Sequence, residues 1–173
     1  MPKYAALLRG VMPTNCRMAD LKKALESAGF GDVRTVIASG NAVFSARKAS
    51  EKSLARKCEA AMMKVMGRSF MTIVRSIGDL EAVLERDYFA TQKLPPNAKR
   101  NVTFLADPPK TKPALPVELR GARICAIEGD VAYTYYVPNI ADPSFMTAIE
   151  RTFGRNVTTR TWETVGRIVK AAQ

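Results

Sequence analysis

The stretch Val33–Ala46, VRTVIASGNAVFSA, constrains the fold more than any other part of the chain. Two apolar, β-branched runs flank Ser39-Gly40-Asn41, and that interruption is what a chain reversal needs. Glycine takes a positive φ at little steric cost, and asparagine does so more readily than most residues. Gly40-Asn41 therefore predicts a tight hairpin between two strands. The neighbouring segments are best placed relative to it.

Upstream, Tyr4–Arg9 (YAALLR) is a short strand with apolar residues on both faces, ended by Gly10. Such a strand is expected to be covered on both sides. The loop Val11–Arg17 carries Pro13 and Asn15, both turn formers. Met18, Leu21, Leu25 and Ala28 then recur at helical spacing, with Asp20 in the first turn and Gly29 as the terminator. Downstream of the hairpin, Ser50–Met66 predicts a helix with Leu54, Cys58, Ala61, Met62 and Val65 in one stripe. Phe70–Arg75 reads as a strand. The order is β-α-β-β-α-β, the split βαβ arrangement of ferredoxin-like domains.

Ser76 with Asp79 three residues on is a helix start, and Leu80, Val83 and Leu84 carry that helix to about Arg86. Tyr88–Arg100, with Pro95-Pro96, reads as a linker or loop. The order then repeats. Asn101–Ala106 is a strand, and Pro109–Leu119 has room for a short, proline-scarred helix. Ala122–Ile127 and Val131–Val137 form a hairpin through Glu128-Gly129-Asp130. Asp142-Pro143 opens a helix whose inner side is Phe145, Ala148, Ile149, Thr152 and Phe153. A brief strand at Asn156–Thr158 and a helix over Thr161–Lys170 close the chain. The expected class is α+β, with two tandem ferredoxin-like units and a C-terminal helix. The expected divisions are 1–75 for the first unit, 76–100 for a helix and linker, and 101–173 for the second unit with that helix.

What is missing narrows the chemistry. The chain has no histidine, which removes Ser-His and Cys-His dyads, imidazole metal sites and histidine acid–base steps. Cys16, Cys58 and Cys125 are odd in number and far apart, so neither a disulfide framework nor a paired zinc site follows. No cofactor or metal is implied. Cys58 and Cys125 fit small core positions. Cys16 stands beside Arg17, whose charge lowers a thiol pKa, although plain packing is the commoner role for a cysteine. No apolar run approaches the ~20 residues that span a bilayer, and MPKYAALLRGV lacks the features of a signal peptide. A cytoplasmic location without membrane contact is expected.

The formal net charge of +11 is unevenly spread. Residues 1–75 hold 14 Lys/Arg against 5 Asp/Glu, whereas residues 76–173 hold 13 against 11. A basic first half attracts polyanions such as nucleic acid or phosphorylated ligands. A well-solvated surface explains the same excess, and weighs slightly more.

Three segments carry a resemblance: LLRGV at Leu7–Val11, MADLKKALESAGFGDVRTVIASGNAVF at Met18–Phe44, and VTTRTWETV at Val157–Val165. They resemble an uncharacterised bacterial family, the domain of unknown function numbered 1697. The resemblance implies two linked ferredoxin-like subdomains and no known activity. Many members have a glycine-rich loop like NVGG after the Arg-Gly, followed by Lys. This chain has the shorter MPTNCR, so a phosphate-cradling role for those glycines does not carry over.

In the ferredoxin-like topology the first and third strands are antiparallel neighbours. The end of the first strand then shares a sheet edge with the turn between the second and third. Arg9-Gly10, Ser39-Gly40-Asn41 and the helix start near Arg17–Asp20 should meet there. A fixed cation, short donors and free helix N–H groups can hold a phosphate or carboxylate. The candidate ligand-binding residues are Arg9, Gly10, Arg17, Ser39, Gly40, Asn41 and, from Thr159-Arg160-Thr161-Trp162, Arg160. The plainer role weighs more: Arg9 bonds the hairpin carbonyls and fastens the edge. Trp162 is a core anchor before it is a stacking platform, and Thr161 a helix cap. RNA reading by the sheet face needs exposed aromatics on strands one and three, where only Tyr4 and Phe44 stand.

Three function classes stay open. The leading one is a binding module for an anionic small molecule or a nucleic-acid backbone. The second is an enzyme acting on a small anionic metabolite in a cleft between units, near Arg9, Tyr133, Tyr135, Glu128 and Arg160, with no nucleophile–base pair to name. The third is a protein-interaction or oligomerisation module.

Overall fold

The computed structural model describes residues 1–141 and 145–173. Among these, five helices and two antiparallel sheets make a mixed α+β protein. Two compact units result, Met1–Glu85 with Gly166–Gln173, and Arg86–Val165.

The first unit contains β1 (Lys3–Leu8), α1 (Met18–Ser27), β2 (Gly31–Thr35), β3 (Asn41–Ser45), α2 (Glu51–Met66), β4 (Thr72–Ser76) and most of α3 (Ile77–Arg86). Its sheet runs β2-β3-β1-β4. Tyr4, Ala6 and Leu8 of β1 join Phe44 of β3 and Val74 of β4 in a core closed by Leu21, Ala24 and Leu25 of α1 and Leu54, Cys58 and Met62 of α2. The opposite face, with Ala5, Leu7, Val43 and Ile73, is also buried. The doubly apolar pattern of the first strand has this cause.

Helices α2 and α3 have local causes. Ser50 caps α2 by accepting from the Ser53 N–H at 3.2 Å, and Gly67 ends it at φ +71°. Ser76 does the same for α3, accepting from the Asp79 N–H and donating to its carboxylate at 2.6 Å. The hairpin is looser than its sequence predicts. Five residues, Val36 to Gly40, separate β2 from β3, and exposed Ile37 takes φ +50°. A two-residue turn does not form because the buried Asn41 side chain spans the loop, donating to Val36 O at 3.1 Å and Ser39 Oγ at 3.0 Å.

The second unit contains β5 (Lys99–Leu105), β6 (Val117–Leu119), β7 (Ala122–Glu128), β8 (Val131–Tyr136), α4 (Phe145–Phe153) and β9 (Val157–Thr161). The sheet order is β6-β7-β8-β5-β9. The helix expected within Pro109–Leu119 is absent, and β6 stands at the sheet edge instead. Prolines 109, 113 and 116 each lack an N–H, and three in eight residues leave no full helical turn free of them. The Asp142-Pro143 helix start lies outside the described residues. α4 packs through Phe145 and Ile149 onto Leu105, Ile124, Ala132 and Val157.

The stretch with the composition of a linker is partly core. Phe89 is buried, edge-on to Trp162 at 5.4 Å and to Tyr133 at 6.0 Å. The last helix, α5 (Trp162–Ala171), is capped by Thr161, which accepts from the Thr164 N–H at 3.2 Å. Its final carbonyls take donors from the first unit's own strands, Lys3 Nζ to Ala172 O at 2.5 Å and Arg34 Nη1 to Ala171 O at 3.2 Å. Cations there suit the negative end of a helix.

Candidate functional site

The end of β1 and the β2–β3 turn do share an edge. The Leu8 N–H donates to Gly40 O at 2.9 Å, and the Arg9 N–H donates to Met71 O at 2.9 Å. Gly40 takes φ +81°, and a Cβ there would stand 2.8 Å from Val11 Cγ2 and 3.0 Å from Leu8 Cβ. Only glycine fits that position without displacement. Asn41 is fully buried with its amide committed to the loop, whereas Ser39 is exposed and Arg9 half-buried. Asn15 ties Gly10 to the next loop, donating to Gly10 O at 2.9 Å while accepting from the Met12 N–H at 2.8 Å.

Arg17 faces a different cavity. A pocket of about 500 Å³ is lined by Asn15, Arg17, Asp20 and Lys23 on one side and by Met66 and Arg68 on the other. It therefore joins the start of α1 to the end of α2, and the two helices run antiparallel. Arg9, Ser39, Gly40 and Asn41 are not among its lining residues. Arg17 is the N-cap of α1 and supplies no side-chain cap, so the first-turn N–H groups keep their positive field. Asp20 pairs with Arg17 at 3.3 Å across an exposed surface. Arg68 is held over the Phe70 ring, 5.0 Å from its centre.

Lys23 and Arg68 are functional candidates that sequence reasoning alone misses. The signal lies in Gly67-Arg68, which places a cation two residues past a helix end that antiparallel packing returns to α1. Cys16 also borders the pocket, and burial pushes its thiol pKa up, with the Asp20 charge adding to the rise. It is a protonated, packed thiol. Burial likewise pushes Cys58 to about 12 and Cys125 to about 11.

Arg160 belongs to the second unit. Buried on β9, it donates to Thr158 Oγ1 at 2.7 Å and Thr159 O at 2.9 Å, and burial draws its pKa down to about 10. The same unit holds a smaller polar group, in which the Tyr88 hydroxyl donates to Glu128 at 2.5 Å and Arg86 pairs with the same carboxylate. The Tyr88 bond holds Glu128 below the ordinary carboxylate value. Tyr133, edge-on to Tyr88 at 4.8 Å, is buried and its hydroxyl pushed to about 12. Tyr135 is buried beneath the Arg123 guanidinium, 5.9 Å from the ring centre.

Among the described residues no cluster of three acidic or sulfur ligands could hold a metal ion. None of their helices is long and apolar enough to cross a membrane. No curated protein matches the chain. Among solved structures it is similar to the conserved bacterial protein SP0830 from Streptococcus pneumoniae, at 21% identity over 99% of this chain and 98% of that one, with a TM-score of 0.68. At that identity the likeness establishes the fold alone. Residues 1–133 match the family described as Protein of unknown function (DUF1697), and the chain belongs to that family.

Proposed function

We propose that the first unit is a ferredoxin-like β-α-β-β-α-β module that binds a phosphate- or carboxylate-bearing anion at the start of α1. The strand order β2-β3-β1-β4, antiparallel throughout, and the helical connections β1–α1–β2 and β3–α2–β4 support the topology. One observation carries the ligand class. Arg17, Lys23 and Arg68 line a single pocket in which Asp20 is the one carboxylate among the described residues, at a helix start without a side-chain cap.

In this reading Arg17 and Arg68 supply the forked donors, Lys23 a movable charge, and Asn15 a short polar group. Gly10 and Gly40 act one step back, by fixing the loop that carries Asn15 through the Asn15 bond to Gly10 O and the close approach of Val11 to Gly40. Arg160 has no part in it.

Inorganic pyrophosphate is the probe. At about a hundredfold excess over Kd it should raise Tm by about 5 °C, and the Arg17→Ala/Arg68→Ala variant should lose that rise. The variant removes no helix cap, so its own Tm should stay near the parent's. An equal rise in both proteins, or none in the parent, overturns the proposal.

A further inference from the structure

We propose that the outward face of α1 and α2 docks the phosphate backbone of a nucleic acid without reading its sequence. This rests on the anion-binding reading and extends it from a pocket to a surface.

The two helices contain four carboxylates, and each is engaged. Glu51 accepts from the Ser76 N–H at 2.8 Å, and Glu59 accepts from the Thr72 N–H at 2.9 Å. Asp20 pairs with Arg17 at 3.3 Å, and Glu26 with Lys22 at 3.8 Å. Among the described residues, no carboxylate forms an ion pair with Lys23, Arg56, Lys57, Lys64 or Arg68. All five are exposed. The acids brace the layer and pair along α1, while most of the bases are left to solvent.

The extent of this face decides between a small ligand and a polymer. Arg56 and Lys64 are separated by about 12 Å of helix rise, and Arg68 continues the row past the helix end. A duplex presents a charge every ~1.7 Å of its axis, so a surface of this length meets several phosphates at once. A single phosphate group would leave most of it unused. Lys57 stands 4.9 Å above the Phe30 ring and Arg68 5.0 Å above the Phe70 ring, which limits the freedom these cations lose on binding. Phe30 and Phe70 are themselves buried. Among the described residues, no exposed ring on the layer offers a base-stacking platform, so recognition falls to the backbone.

A lipid surface fits less well. An interfacial helix buries an apolar face in the bilayer, but Leu54, Cys58 and Met62 of α2 are spent in the core. Met63 and Val65 are the large apolar side chains that α2 exposes.

The test is fluorescence anisotropy of a labelled random-sequence duplex with the full chain and with Arg56→Gln/Lys57→Gln/Lys64→Gln, whose three sites lie outside the pocket. The variant should bind about tenfold more weakly at low salt, and the slope of log K against log salt should shrink by about 2–3. Its pyrophosphate-induced Tm rise should equal the parent's. Duplex binding that is absent from the parent, or unchanged in the variant, overturns the inference. If pyrophosphate still stabilises the parent, the pocket reading stands alone; if it does not, both fail. Binding to phosphatidylserine vesicles without duplex binding also overturns it, in favour of a membrane surface.

Discussion

The two units lay four strands in one order and cover them differently. In the first, β2-β3-β1-β4 carries α1 and α2; in the second, β7-β8-β5-β9 carries α4, with β6 added at the edge. Each ends in a strand that runs straight into a helix through a hydroxyl cap, Ser76 before α3 and Thr161 before α5. Each closing strand also has a buried arginine as its fourth residue, Arg75 opposite Ala5 and Arg160 opposite Val102. The difference lies in the first connection, an amphipathic helix in one unit and a proline-studded segment in the other. Strand order therefore survives the loss of a helix. The depth of the core does not, because α1 supplies three of the buried residues that close the first core, and the second has no counterpart for them among the described residues.

The largest effect should come from testing those cores with one substitution. Phe44 is stacked on Phe30 at 4.3 Å and near Tyr4 at 5.9 Å, all within the deeper cluster. Phe44→Ala should cost about 4–5 kcal/mol in urea unfolding. Phe145 sits at the start of α4 with Tyr136 at 6.4 Å, where relaxation is easier, and Phe145→Ala should cost about 3 kcal/mol. Equal losses would mean that the helix-poor unit is packed as deeply as the other.

A smaller effect separates the hairpin glycines. At Gly40, φ +81°, an added methyl would come within 3.0 Å of Val11 and Leu8, whereas at Gly129, φ +56°, it would meet nothing within 4 Å. Gly40→Ala adds overpacking to the left-handed penalty, and should cost about 3 kcal/mol. Gly129→Ala meets the backbone penalty alone, about 1 kcal/mol. Matching urea midpoints for the two variants would show that the approach of Val11 to Gly40 costs little to relax.

These glycines also mark where the sequence is legible. Gly40 announces a reversal, because only a left-handed residue explains glycine between two β-branched runs. It does not announce the length of that reversal, which depends on a side chain: Asn41 points back into the loop and holds Ile37 at φ +50°. The helices of the first unit are legible because apolar spacing, caps and terminators agree. The second unit's missing helix is not, because the strand order suggests a repeat more strongly than the prolines suggest its failure. The pocket is half legible. Arg17 stands out beside a helix start, but Lys23 and Arg68 meet it only through antiparallel packing, which no local pattern encodes. Phe89 is hidden in a proline-rich stretch whose composition imitates a linker.

The smallest effect compares two carboxylates, one in each unit, whose pKa values move in opposite directions. Burial lifts Glu51 above the ordinary 4.5, against the pull of the Ser76 N–H and the Arg75 charge. Its contribution to stability is therefore complete below 4.5 and declines as pH rises through the folded-state value. Glu128 is held below 4.5 by the Tyr88 hydroxyl and by Arg86, so its contribution is complete above 4.5 and declines on acidification. Glutamine keeps the shape of each side chain and removes its titration. On passing from neutral pH to below 4.5, the stability difference, parent minus variant, should rise for Glu51→Gln and fall for Glu128→Gln. Urea midpoints across that range measure both signs. If the two differences moved together, burial would not be what governs Glu51, and the tight bracing of the first unit's helical layer would have to be argued from Glu59 and Ser50 instead.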